Sequence, residues 1–134
     1  MKSPGKILFV CVENAGRSQM AEAFAKQRGT SAMSAGTVPA TTVNPVVVQV
    51  MKERGIDLSS NHPKMLTIEM VNEADLVVTM GCSVEEVCPA PLIGRMQKKL
   101  VEWNIEDPKG KSIEKARQIG DEIERKVAEL QTSS

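Results

Sequence analysis

Short apolar runs alternate with amphipathic stretches along most of the chain. Ile7-Leu8-Phe9-Val10 is unbroken and partly β-branched, the pattern of a parallel strand buried on both faces. Ser18 to Arg28 follows, with Met20, Ala21, Phe24 and Ala25 at helical spacing and Gly29 as its stop. Ser31 to Gly36 predicts a second strand, and the helical crossover before it makes that pairing parallel. Asn44 caps and Pro45 opens a helix that runs to Arg54 and stops at Gly55, with Val46, Val47, Val50 and Met51 as its core face. Ile56 to Lys64 is a polar connection, Thr67 to Ala74 a short helix, and Asp75 to Met80 a strongly apolar strand.

Ser83-Val84-Glu85-Glu86 has the spacing of a capping box, so a short helix starts there and carries Val87 and Cys88 before Pro89, Pro91 and Gly94 break it. Lys98 to Trp103 is the last strand, with Asn104 to Gly110 turning off its end. Ser112 caps a terminal helix whose Ile113, Ala116, Ile119, Ile123, Val127 and Leu130 keep a three-or-four spacing, and the tail from Gln131 to Ser134 should fray. This uninterrupted β-α alternation predicts an α/β three-layer sandwich: a four-stranded parallel sheet with helices on both faces, formed by residues 1–134 as a single domain.

Composition narrows the partners rather than the fold. With 17 basic and 17 acidic residues the formal net charge is zero, so nothing draws the chain broadly to nucleic acid or a membrane. Phe9, Phe24 and Trp103 are the only aromatic residues and Tyr is absent, which removes the stacking platforms of single-strand binding. No signal core or membrane-length segment is present, so a cytoplasmic location is expected, with the chain acting as a monomer. Three cysteines without secretory context suggest reactive thiols rather than a disulfide framework.

The chemistry centres on Cys11-Val12-Glu13-Asn14-Ala15-Gly16-Arg17-Ser18, a strand-to-helix turn. Backbone N–H groups in such a turn point inward, the helix start adds partial positive charge, and a tetrahedral oxyanion fits there. Gly16 frees the backbone, and Arg17 brings a planar fork for two oxygens of one anion. The same features favour a thiolate, making Cys11 a nucleophile. A lone Cys at a strand end is more often simply buried, but one followed by this loop and arginine is not alone. Cys82 and Asp107 also fall past strand ends, at the sheet edge where ligands bind. Asp107 can protonate a leaving oxygen as general acid, although Asp before Pro108 also suits a plain turn. His62, the single histidine, reads as a surface or supporting residue.

The loop Cys11 to Glu22, the Ser34-Ala35-Gly36-Thr37 turn, and Trp103 followed by Asp107-Pro108 together resemble the low-molecular-weight tyrosine phosphatase superfamily. Cys82 and Cys88 narrow the resemblance to its thioredoxin-coupled arsenate reductases, over nearly the whole chain from Lys6 to Leu130. The resemblance implies that Cys11 attacks arsenate, that residues 12–18 hold its oxygens, and that Asp107 protonates the departing hydroxyl. It further implies a Cys11–Cys82 disulfide as arsenite leaves, then a Cys82–Cys88 disulfide that thioredoxin or a similar dithiol protein reduces. No bound cofactor is implied. Asn14, Glu22 and Ser34 match part of a potassium site found in some relatives. Lys64 stands near where that site calls for an acidic ligand, its ammonium group able to replace the cation, so no metal is expected.

Two departures carry consequences. Glu13 places a negative charge inside an anion-binding loop, tolerable only with its side chain turned outward. Six residues of α-helix rise about 9 Å and rotate roughly 240° past a full turn, so Cys82 and Cys88 in one helix would point apart. A disulfide between them therefore requires the segment to be looped or to unwind on oxidation, and the second is expected. The leading alternative is a phosphatase for phosphotyrosine or a small phosphoester, since phosphate shares the shape and charge of arsenate. A three-cysteine zinc module is disfavoured by intervals of 71 and 6 residues between the thiols.

Overall fold

The computed structural model describes residues 5–80 and 100–132. Its sheet contains β1 (Ile7–Cys11), β2 (Ala32–Gly36), β3 (Leu76–Met80) and β4 (Leu100–Trp103), all parallel, in the order β2-β1-β3-β4. The helices are α1 (Arg17–Gln27), α2 (Pro45–Glu53), α3 (Ile68–Glu73) and α4 (Ile113–Thr132). Each strand and helix expected within the described residues is present, and α4 runs two residues into the tail expected to fray. Cys82, Cys88, the helix expected at Ser83, the breakers after it, and Lys98 and Lys99 of the last expected strand lie outside the described residues.

Side chains alternate across the sheet, so β1 feeds two cores. Ile7, Phe9 and Cys11 join Val78 and Met80 in a cluster with Met20 and Phe24 of α1, Val47 and Met51 of α2, and Ile119, Ile123 and Val127 of α4. Leu8 and Val10 join Ala35 and Val77 in a second cluster with Leu66, Val71 and Ala74. Full burial of such side chains contributes about 1.5–3 kcal/mol each before chain entropy is charged.

Two expectations need correction. Val46 is only half-buried, so the core face of α2 is Val47, Val50 and Met51. The connection after α2 is not wholly polar in its packing, because Leu58 is 2 % exposed and plugs the larger core. Local signals otherwise work as chemistry requires. Asn44 Oδ1 accepts from the Val46 N–H at 3.0 Å, Thr67 Oγ1 from Met70 N–H at 3.2 Å, and Ser112 Oγ from Lys115 N–H at 3.2 Å. Among the described residues no side chain caps the start of α1 at Arg17, which leaves its first N–H groups without a side-chain cap.

The register aligns the strand ends. Cys11 pairs with Gly36, and Met80 with Trp103. Strand order reverses between β2 and β3 around β1, so Cys11 ends the strand at the topological switch point. Among the described residues no helix is long and apolar enough to cross a membrane.

Candidate active site

Beyond the carboxyl ends of the strands lies a cleft of about 530 Å³. Cys11, Val12, Glu13, Ala15, Gly16 and Arg17 line one side of it, Ala40, Thr42, Asn44 and Pro45 another, and Asp107, Lys109 and Gly110 a third. The predicted nucleophile, the arginine and the candidate acid, 96 residues apart in sequence at the extremes, are thus brought to one cavity. Asn14 and Ser18, expected to bind substrate, are fully buried behind the loop and do not line the cleft.

Both residues contact the thiol. Cys11 is 3 % exposed, and its Sγ accepts from the Asn14 N–H at 3.1 Å and lies 2.8 Å from Ser18 Oγ. The orientation of the Asn14 amide follows from its neighbours. The Lys64 N–H, which can only donate, lies 2.8 Å from Asn14 Oδ1, so the Asn14 amide presents its Nδ2 to Ser18 Oγ at 2.7 Å. Ser18 Oγ thereby accepts from Asn14 and lies within hydrogen-bond distance of Sγ. The Asn14 N–H and the Ser18 hydroxyl thus both meet Sγ.

Asn14 also takes the one positive φ among the described non-glycine residues, 53°, which Asn tolerates better than most. Gln19, fully buried on the first turn of α1, holds it there: Nε2 donates to Asn14 O and Oδ1 at 3.1 Å each and to His62 O at 3.3 Å. His62 is exposed and contributes this backbone carbonyl to the network. Sequence reasoning missed Gln19, and its only signal was a polar residue beside Met20 where α1 begins.

Gly16 sits where a Cβ would come within 3.1 Å of Pro108 Cγ, so its smallness lets the Asp107 turn approach. Arg17 is 8 % exposed; Nη1 donates to Ile105 O at 2.9 Å, and Nη2 stands 3.6 Å from Asp107 Oδ2. Asp107 accepts from the Lys109 N–H at 2.9 Å, so it forms the local turn and faces the cleft at once. Glu13 lines the cleft with its side chain about one-third exposed, and its Oε2 accepts from Lys109 Nζ at 2.8 Å.

Behind the loop, the buried carboxylate of Glu22 accepts from Ser34 Oγ at 2.5 Å and pairs with Lys26 at 2.6 Å, with Lys64 Nζ 3.9 Å away. Ammonium groups on two sides already balance its charge, so these residues do not fit a potassium ion.

Residues 6–133 match the family described as low molecular weight phosphotyrosine protein phosphatase. An arsenate reductase of Bacillus cereus (strain 03BB102) is 36% identical over 132 residues, covering 95% of this chain and 94% of the relative. Among solved structures, a Corynebacterium glutamicum thioredoxin-dependent arsenate reductase superposes with a TM-score of 0.77 at 34% identity, over 96% of this chain and 61% of that one. The YwlE arginine phosphatase of Geobacillus stearothermophilus gives a TM-score of 0.81 at 28% identity, over 96% and 91%.

Proposed function

Because the chain belongs to the low molecular weight phosphotyrosine protein phosphatase family, we propose that it turns the family's oxyanion cleft to the reduction of arsenate to arsenite. The observation that carries this reading is a buried thiol met by the Asn14 N–H and the Ser18 hydroxyl, lining one cleft with Arg17 and Asp107, in a chain with two further thiols. Relatives named arsenate reductase over nearly the full length support it.

Arsenate enters as an oxyanion, its oxygens met by the Arg17 guanidinium and by the amides of residues 12–18. Cys11 thiolate attacks arsenic, a hydroxyl departs, and Asp107 supplies the proton that makes it water. Cys82 then attacks Cys11 Sγ. The sulfur–arsenic electron pair passes to arsenic, arsenite leaves, and a Cys11–Cys82 disulfide remains. Cys88 attacks Cys82, Cys11 thiolate departs, and the Cys82–Cys88 disulfide takes two electrons from an external dithiol protein of the thioredoxin kind. The scheme needs no bound cofactor, and the enzyme works as a cytoplasmic monomer.

The second reading, a phosphoester phosphatase, draws on the likeness to an arginine phosphatase. A phosphotyrosine slot fits poorly, because all three aromatic side chains, Phe9, Phe24 and Trp103, lie in the core. Thioredoxin-coupled NADPH consumption with arsenate separates the readings. Activity should vanish in Cys11→Ser, Cys82→Ser and Cys88→Ser, while any phosphatase activity should disappear only with Cys11→Ser. Full arsenate turnover by Cys82→Ser in that assay would sink the relay.

A further inference from the structure

Glu13 and Lys109 both line the cleft, and their side chains have no part in the chemistry above. We propose that their ion pair is a positioning latch: it docks the Asp107 turn onto the oxyanion loop and sets the charge at the cleft mouth. This rests on the reading of Cys11 as nucleophile and Asp107 as acid.

The turn after β4 is held at two points flanking Asp107. On one side Arg17 Nη1 holds the carbonyl of buried Ile105 at 2.9 Å. On the other, Lys109 reaches Glu13 at 2.8 Å while its own N–H holds Asp107 Oδ1 at 2.9 Å. Asp107 needs that second anchor, since its side chain is half exposed and its approach to Arg17, at 3.6 Å, is longer than a hydrogen bond. One residue therefore fixes both the carboxylate and the distance between its turn and the loop bearing Cys11.

The pair also answers the problem posed by Glu13. An unbalanced carboxylate in this loop would repel the oxyanion, and the Lys109 ammonium neutralises it. Glu13 raises the Lys109 pKa, chiefly by hydrogen bonding and then by charge, with a smaller push from Asp107. The ammonium form thus persists throughout the neutral range. Because Lys109 is well exposed, the latch is modest and weakened by salt.

The two roles separate kinetically. Arsenate binding can be read without turnover, as protection of the Cys11 peptide from iodoacetamide, and kcat on arsenate or p-nitrophenyl phosphate. Lys109→Met should weaken arsenate binding and Glu13→Gln should tighten it, each about two- to five-fold, with the neutral double variant returning to the parental Kd. All three should lose about two- to five-fold in kcat, Lys109→Arg should recover it, and roughly 0.5 M salt should bring the parent down to their level. Unchanged kcat in Lys109→Met, or a double variant whose Kd stays displaced, overturns the latch. Failure of the parent to consume arsenate overturns the proposed function instead, leaving binding and phosphoester kcat to judge the latch.

Discussion

Gly36 carries the sharpest test of how the sheet shapes the cleft. It ends β2 beside Cys11, and a Cβ built on it would lie 2.5 Å from Val12 O, 2.9 Å from Asn14 N and 3.0 Å from Glu13 C. All three are backbone atoms of the oxyanion loop. An ordinary contact lies near 3.5 Å, so Gly36→Ala must open roughly 1 Å between strand and loop. The strand has little room to retreat, since its N–H donates to Lys64 O at 2.8 Å and its carbonyl accepts from Leu66 at 2.9 Å. The loop moves instead, and the Asn14 N–H that meets Cys11 Sγ moves with it.

A misplacement of that size costs about 100-fold in rate when it falls on the reacting groups. Overpacking at such a site costs about 1–3 kcal/mol of stability. Gly36→Ala should therefore fold, unfold at lower urea, and lose about two orders of magnitude in kcat/KM for arsenate. Gly29→Ala is the control: its φ of 85° makes Ala cost about 1 kcal/mol, but nothing lies within 4 Å of the added atom and activity should persist. Gly36→Ala with parental kcat/KM would refute the claim that this contact sets the loop.

Leu58→Ala should cost about 2–5 kcal/mol in urea unfolding, because Leu58 is 2 % exposed in the larger core cluster. A loss under about 1 kcal/mol would mean the connection packs less tightly than its burial implies. Acid should also weaken the fold. Hydrogen bonds from Lys115, and next Lys111, hold Glu106 below its usual pKa, as Arg117 does for Glu53. These pairs contribute fully above the ordinary carboxylate range and are lost as pH falls through the folded-state values. Glu53→Gln combined with Glu106→Gln should flatten the acid limb of the urea midpoint against pH, and parallel curves would refute this.

Much of this was legible because it is local. An unbroken β-branched run, a Pro behind an Asn, and a three-or-four apolar spacing each fix an element through a few neighbouring residues, and β1, α2 and α4 formed accordingly. Cys11, Arg17 and Asp107 were legible because strand ends in a parallel sheet share one edge. The network behind the loop was not. Gln19 meets Asn14 and His62 only after the 61–64 connection folds over α1, and the Lys64 N–H that orients the Asn14 amide comes from 50 residues away. Such partners leave no periodic trace. The same is true of Glu13 with Lys109, where only the oddity of an acidic residue in an anion loop hinted at a distant cation.

The burial of Cys11 bears on the proposed relay of thiols. Cys11 is 3 % exposed and lines a cleft whose volume suits a small molecule, whereas a protein dithiol would need a docking area of about 800 Å² to approach it. In the proposed relay, electrons from a protein are carried in by a thiol of the chain itself, Cys82. A small dithiol such as dithiothreitol faces no such barrier. Its first sulfur can attack Cys11 Sγ of the arsenic adduct and release arsenite, and its second then frees Cys11 as a cyclic disulfide forms. Cys82→Ser should accordingly turn over arsenate slowly with dithiothreitol and not at all with thioredoxin, measured as arsenite released. Equal rates for the parent and Cys82→Ser with thioredoxin would mean that a protein reaches the buried sulfur directly, and the case for a carrier thiol would fall.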